Sequence, residues 1–372
     1  MAPSKKTKSS YNIPQMEPWF DGAEASAVFE YMKSGGWVME FKKTRELEDL
    51  IAQYTGAPHA VMTVNGTVSL TIALLALGLQ PGDEVLVPDM TMIASPNSAK
   101  LVGMSPVLVD IDPKTLCMDL KKAKQLITKK TKAMMYVAFN GRSGNMHDVK
   151  RFCKKHGLFL IEDAAQAFGS FWNGKHLGTF GDIGSFSFSV PKIITTGQGG
   201  ALVTRDENLF KNMKKMKDFG RMAGGVDIHD ELGWNFKFTD IQAVIGIEQM
   251  KKLRQRVKRK REIYQRYTTR LKNIAEIELV PTDLKQTVPW FIDIYVRDRD
   301  GLLEYLKSLG IGTRPIYPAI HTQKIYATTR NKNRFPVSED YAARGLWLPS
   351  SSKLSNQEID YVTNAIKKYY QK

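Results

Sequence analysis

Cysteine is nearly absent from this chain. Only Cys117 and Cys153 occur among 372 residues, at neither metal nor redox spacing, which excludes a disulfide framework and fits a reducing compartment. Long apolar runs are missing as well: none approaches the roughly 20 residues that a membrane-spanning helix needs. The opening MAPSKKTKSSYNIPQ is basic and polar and lacks the apolar stretch of a secretory signal, so residues 1–15 are expected to form a flexible tail. No internal repeat is found, and no low-complexity block beyond that tail. These absences lead to the expectation of a cytoplasmic protein with no membrane contact and no metal site.

What is present is ordinary for a globular enzyme. The hydrophobic share is 42% and the charged share 25%, and the length suits one large and one small domain. Charge is the unusual feature: Lys and Arg number 54 against 38 Asp and Glu, a net of +16. That balance suits a polyanionic partner, whether nucleic acid or a diphosphate substrate. The densest run, KKLRQRVKRKREIYQR from Lys251, places Leu253, Val257 and Ile263 at near-helical spacing. It is expected as an amphipathic helix with a solvated basic face, so attraction of a diphosphate is the better functional reading and no specific nucleic acid is expected.

From residue 57 to about 205, short apolar runs alternate with helical stretches, as in an α/β domain with a largely parallel sheet. Strands are expected over 59–64, 84–87, 105–109, 133–139 and 159–162. In such sheets ligands sit beyond the carboxyl ends of the strands. Thr239, with Gln242 at the capping-box position, opens a long helix. The alternating stretch WFIDIYV and a last helix over 356–370 follow. The expected division is a large α/β domain over 1–250 and a smaller α+β domain over 251–372.

Four segments carry candidate chemistry. In GSFSFSVPKIITTGQGGALVT, Ser185, Ser187 and Ser189 share one strand face and Phe186 and Phe188 the other; Pro191 then breaks the strand ahead of Lys192. A lysine held and desolvated in this way can act as an imine-forming amine, although taken alone it reads more readily as a surface lysine. The run LFLIEDAAQAFGS delivers Glu162 and Asp163 to a strand end, with Gln166 three residues on. An enzyme using pyridoxal phosphate needs a carboxylate on the pyridine nitrogen, and Asp163 is the candidate; a helix cap is its ordinary alternative. In TVNGTVSLTIALL, Asn65, Gly66 and Thr67 open an apolar helix whose terminus suits a phosphate, or is simply capped. Met92, in VPDMTMIASPNS, is placed to lie over a ring, or fills core.

Those segments occur in the order phosphate loop, ring-covering loop, Asp-bearing strand end and lysine loop. In that order the chain resembles the DegT/DnrJ/EryC1/StrS family of sugar aminotransferases, of the fold-type I pyridoxal-phosphate class. The resemblance runs from about Trp19 to the C-terminus and is carried by NGTVSLTIALLALGLQPGDEVLVPD, LIEDAAQAFGS, GDIGSFSFSVPKIITTGQGGALVT, GWNFKFTDIQAVIG and GIGTRPIYPAIH.

What the resemblance implies is specific. The fold would be that of a fold-type I aminotransferase: a large domain with a mostly parallel mixed sheet and a smaller C-terminal α+β domain. The cofactor would be pyridoxal 5′-phosphate, with Lys192 matching the Schiff-base lysine, Asp163 the pyridine-nitrogen partner and Gln166 the phenolic-oxygen contact. Gly66, Thr67 and Ser187 match phosphate ligands. Asn235 and Lys237, in the GWNFKF loop, would reach a neighbour's site, which implies a homodimer with shared active sites. Arg314, Tyr317 and His321 resemble the late substrate loop, with a structural ion pair and a surface histidine as alternatives. The reaction implied is amination of a nucleotide-linked 4-keto-6-deoxy sugar by L-glutamate, GDP-4-keto-6-deoxymannose foremost, with dTDP- or UDP-linked keto-sugars as alternatives. A sugar dehydratase would carry histidine in place of Lys192, and a nucleic-acid-binding protein reusing the fold is the rival of another class. Met92, Phe168 and Ala138 depart from the aromatic, histidine and polar residues of many relatives, and so bear on cofactor stacking and substrate choice.

Overall fold

The computed structural model describes residues 12–222, 224–327 and 335–371. In chain order the strands of its first half are β1 His59–Thr63, β2 Glu84–Pro88, β3 Ser105–Val109, β4 Thr131–Val137, β5 Phe159–Asp163, the small hairpin β6 Phe171–Trp172 and β7 Lys175–His176, then β8 Ile183–Ser187 and β9 Gly200–Thr204. All but the hairpin form one seven-stranded sheet in the order β1-β9-β8-β5-β4-β2-β3. From β8 to β3 every neighbouring pair is parallel, and β9 runs antiparallel between β1 and β8. The helices of this half are α1 Gly22–Lys33, α2 Lys42–Thr55, α3 Gly66–Ala76, α4 Ala94–Leu101, α5 Leu120–Gln125, α6 Met146–His156 and α7 Glu207–Lys217.

Sequence pattern explains the layering. Helix α3 is apolar on nearly every side, and Ser69 through Leu74 are all buried against the sheet, as an all-round apolar helix requires. Helix α6 is one-sided instead: Met146, Val149 and Cys153 are buried, Asn145 caps the amides of His147 and Asp148, and Gly157 at φ 64° ends the helix in the left-handed region.

The second half contains α8 Asp240–Leu271, β10 Ile277–Glu278, β11 Ile292–Val296, α9 Arg299–Ser308, β12 Arg314–Pro315, α10 Pro336–Arg344, β13 Gly345–Leu348 and α11 Asn356–Tyr370. Its four strands form an antiparallel sheet in the order β10-β11-β13-β12. Helix α8 serves two cores. Ala243, Ile247 and Leu253 pack with the large sheet, and Ile263, Tyr264, Tyr267 and Leu271 pack with β11, β13 and α11. No helix among the described residues is long and apolar enough to cross a membrane.

Several expectations are refined by tertiary contacts. The strand expected over 133–139 runs from Thr131 to Val137, because Asn140 turns the chain at φ 54° and is held there by distant partners. Thr239 caps α8 through the Gln242 amide, yet the Gln242 side chain bonds the Thr239 hydroxyl and the Gln198 carbonyl, so only half of the capping box forms. The basic face of α8 is not wholly solvated: Arg256 and Lys260 are buried, donating to the carbonyls of Trp19 and Ile193 and of Trp290 and Ser350 respectively. Desolvation pushes the Lys260 ammonium down to about 7. Of the expected tail, residues 1–11 lie outside the described residues, while Ile13 is buried and bridged to Ile311.

One buried polar joint ties the two halves together. The Asn140 side-chain nitrogen donates to the Phe291 carbonyl and to Asp293, both at 2.8 Å, and its oxygen accepts the Phe291 N–H at 2.7 Å. Arg142 forks onto Asp293 at 2.8 and 2.7 Å, and the Tyr295 hydroxyl adds a further donor at 3.0 Å. Removing one partner of such a pair strands a buried charge. Asp293→Ala is expected to destabilise the protein by about 3–5 kcal/mol in chemical denaturation; a loss under about 1 kcal/mol would mean that the joint behaves as an exposed pair.

Candidate active site

Strand alternation separates the two carboxylates at the end of β5. Glu162 turns to one side and accepts the amides of Gly178, Phe180 and Gly181 at 2.5–2.7 Å, shaping the approach to β8. Asp163 turns toward the loops beyond the strand ends. Its carboxylate accepts the Ser95 hydroxyl at 2.7 Å and the Ala165 amide at 3.2 Å. Burial raises the Asp163 pKa, while Ser95, Ala165 and the charge of Lys192 pull against that rise. Ser95 is itself oriented by Thr91, oxygen to oxygen 3.0 Å.

Gln166 is buried, and its side-chain oxygen accepts the Asn140 backbone amide at 2.7 Å. That contact commits the oxygen and leaves the NH2 group as the donor available to a ligand. Lys192 follows a tight turn in which its amide bonds the Ser189 carbonyl at 3.0 Å. Desolvation lowers its amine to about 8 against the opposing pull of Asp163, so an appreciable fraction is unprotonated near neutral pH. Ala165, Gln166, Ser187, Lys192 and Trp290 line one cavity.

The anion end of the site is built by α3. Asn65 caps the Val68 amide at 2.9 Å, and among the described residues the amides of Gly66 and Thr67 have no protein acceptor. Ser187 closes over them: a Cβ on Gly66 would lie 3.0 Å from the Ser187 Cβ. Ser185, on the same strand face, keeps a buried hydroxyl without a partner among the described residues. A helix terminus with free amides, a buried carboxylate at Asp163, an amide donor at Gln166 and a desolvated amine at Lys192 are groups that fit the phosphate, ring nitrogen, phenolic oxygen and aldehyde of pyridoxal phosphate.

The remaining expected residues are placed less centrally. Met92 is 44% exposed, and its carbonyl accepts the amide of Ser95. Asn235 is exposed, whereas Lys237 pairs with Asp218 at 2.6 Å and lies over the Phe219 ring. Arg314 is exposed beside the rings of Tyr317 and Trp347, with no carboxylate partner among the described residues. Tyr317 is close enough for Asp163 to help raise its pKa, a rise caused first by burial. His321 has both ring nitrogens engaged, by Asp89 at 2.7 Å and Glu339 at 3.0 Å, and stacks on Phe335. Sequence reading does not find Ser95 or Asn140. Each becomes significant only through a partner far along the chain, at Asp163 and at Phe291.

A family model described as the DegT/DnrJ/EryC1/StrS aminotransferase family matches residues 20–367. A protein of Escherichia coli O157:H7 named GDP-perosamine synthase is 37% identical over 361 residues, covering 96% of this chain and 98% of that one. One of the same name from Vibrio cholerae is 34% identical over 363 residues, covering 96% and 99%. Among solved structures, a putative sugar aminotransferase of Streptococcus pneumoniae in its PLP form superposes with a TM-score of 0.90 at 26% identity, covering 97% of this chain and 99% of that one.

Ser95→Ala removes one of the three groups that favour the ionised form of the buried Asp163. Its expected effect is about tenfold weaker binding of pyridoxal phosphate in an absorbance titration, and unchanged affinity would remove Ser95 from the site.

Proposed function

The chain belongs to the DegT/DnrJ/EryC1/StrS aminotransferase family, and from that premise we propose that it aminates GDP-4-keto-6-deoxymannose at C4, with L-glutamate as donor, to give GDP-perosamine. The enzyme is a pyridoxal-phosphate-dependent aminotransferase. The observation that carries the proposed residue roles is the convergence of Lys192, Asp163, Gln166 and Ser187 with the free end of α3. The names of the relatives support the GDP-linked substrate.

Pyridoxal phosphate, when bound, supplies a protonated ring that withdraws electrons from the carbon bearing the amino group. Asp163 holds the proton on the ring nitrogen, since a desolvated carboxylate facing a cation is stabilised as the anion. The Lys192 amine, poised near neutrality, takes the proton from the α-carbon of glutamate and in the second half of the cycle delivers one to C4 of the sugar. Gln166, its oxygen committed to Asn140, would offer its NH2 group to the phenolic oxygen. Ser187 and the amides of Gly66 and Thr67 would hold the phosphate by hydrogen bonds at the positive end of α3. Arg314, exposed and without a carboxylate among the described residues, is available to the diphosphate or to the donor's carboxylate.

The proposed assembly is a homodimer in the cytoplasm. Trp37 on the segment after α1, together with Met222, Ile228 and Leu232 on the segment after α7, exposes large apolar side chains, 58–76% accessible. Large apolar side chains exposed on these two segments support an association surface there. Asn235 and Lys237 lie on the same segment, which supports their reaching the partner's site. Both cysteines are free and buried, in keeping with a reducing compartment.

The deciding measurement is the absorbance of the protein with pyridoxal phosphate, for wild type and Lys192→Ala, followed by glutamate and then a panel of GDP-, dTDP- and UDP-linked 4-keto sugars. A band that needs Lys192, bleaches with glutamate and returns with the GDP-linked sugar alone is expected. Return with another nucleotide would reassign the substrate, and no lysine-dependent band would remove Lys192 from its role. Initial rates at several fixed levels of one substrate should give parallel reciprocal lines, because the donor's product leaves before the sugar reacts; converging lines would contradict two separate half-reactions. Light scattering should give twice the 42.0 kDa chain mass.

A further inference from the structure

Trp290 makes two contacts with the lysine loop. It is buried, and its indole N–H donates to the carbonyl of Pro191, the residue before Lys192, at 2.8 Å. The centre of the same ring lies 4.0 Å from the Lys192 amine. One contact fixes the backbone that carries the lysine, and the other receives its charged end. Packing removes much of the water from the amine, and an aromatic face, that of indole most strongly, still attracts a cation through the negative potential above the ring.

Trp290 is itself fixed from three directions. Lys260 donates to its carbonyl, Asn140 holds both backbone groups of the next residue, Phe291, and the Ser170 hydroxyl accepts the amide of Val288 at 2.8 Å. The Phe291 ring stacks on the indole at 3.8 Å between centroids, and Trp347 meets it edge-on at 5.7 Å. The contrast with Trp347 is informative, because the indole nitrogen of Trp347 is buried without a partner among the described residues, whereas that of Trp290 is committed to the lysine loop. Lys260 offers a similar contrast. Its buried amine has no carboxylate partner among the described residues and holds two carbonyls, one of them the backbone of Trp290.

We propose that Trp290 is a positioning residue for Lys192: its N–H pins the turn that carries the lysine, and its face gives the amine a resting place in which the ammonium form is favoured. Once the amine has taken a proton from a substrate carbon, the resulting ammonium rests at one defined spot on the indole face until it delivers that proton. Lys260 and Asn140 act on the same step from one contact further away, Lys260 by holding the Trp290 carbonyl and Asn140 by holding the backbone of Phe291 after it. The inference rests on the assignment of Lys192 as the proton-transferring lysine, but its physical core, the coupling of indole and amine, is measurable without cofactor.

The experiment titrates the Lys192 amine in cofactor-free protein by the pH dependence of its labelling with trinitrobenzenesulfonate, quantified by mass spectrometry on the peptide containing Lys192. Trp290→Leu keeps an apolar cover and removes both contacts, while Trp290→Phe keeps a ring face and removes the N–H. In Trp290→Leu the midpoint should fall by about one pH unit below that of wild type, since the ammonium loses its attraction and stays desolvated; in Trp290→Phe it should fall by less. With cofactor and both substrates, Trp290→Phe should lower kcat about ten- to hundredfold through loss of the pinned turn and change the sugar KM less than about twofold. The proposal is overturned if folded Trp290→Phe labels and turns over as wild type does, and equally if Trp290→Leu, where it folds, labels as wild type. A failed absorbance test for Lys192 alongside a shifted labelling midpoint would reject the proposed role of Lys192 and leave the coupling standing.

Discussion

Asn140 is the residue through which the two halves of the protein and the floor of the site are joined. Its backbone sits at φ 54°, a conformation that asparagine tolerates better than any β-branched or bulky residue. The strain is offset by partners on every side: its backbone amide holds Gln166, and its side chain completes the hydrogen bonds of Phe291 and meets Asp293. Arg142, two residues on, neutralises Asp293 in the same dry space. Because the Gln166 oxygen is committed there, the direction of its NH2 group depends on a contact with the second half of the chain. Displacement of β11 would therefore be felt at Gln166 and, through Phe291, at Trp290.

The site works through burial that is opposed but not cancelled. Asp163 and Lys192 both lose water, which pushes the carboxylate's pKa up and the amine's down. Each charge favours the other, and Ser95 and Trp290 add a hydroxyl on one side and an aromatic face on the other. The result is a carboxylate that suits a protonated ring nitrogen and an amine that can both accept and return a proton. Lys260 shows the other use of a buried amine, as a clamp on two carbonyls with no carboxylate among the described residues paired to it.

Much of this is legible along the chain wherever the signal is local. The parallel strands stand out as short apolar runs, α3 as an apolar helix behind Asn-Gly-Thr, and the serine face of β8 as strict alternation, because strand and helix periods depend only on neighbouring residues. The association of Lys192 with Asp163 is suggested by motif order and resemblance, and in the structure each charge favours that of the other. What stays hidden depends on distant partners. The basic run on α8 reads as uniformly solvated, yet Arg256 and Lys260 turn inward to carbonyls far away in sequence. The stretch WFIDIYV shows a strand and no sign that its first residue covers the Lys192 amine.

The sequence by itself determined the α/β class through its periodicity, and its ordered motifs carried the resemblance to the family and the candidates Lys192, Asp163 and Gln166, since such signals are written in neighbouring residues. Only the tertiary structure decided which polar atoms were already occupied. His321 and Lys237 are engaged within their own chain, the oxygen of Gln166 is committed to Asn140, and the hydroxyl of Ser185 has no partner among the described residues. The physical reason is that a hydrogen bond between buried groups depends on their separation in space, and residues 140 and 291 are brought together only when both halves have packed.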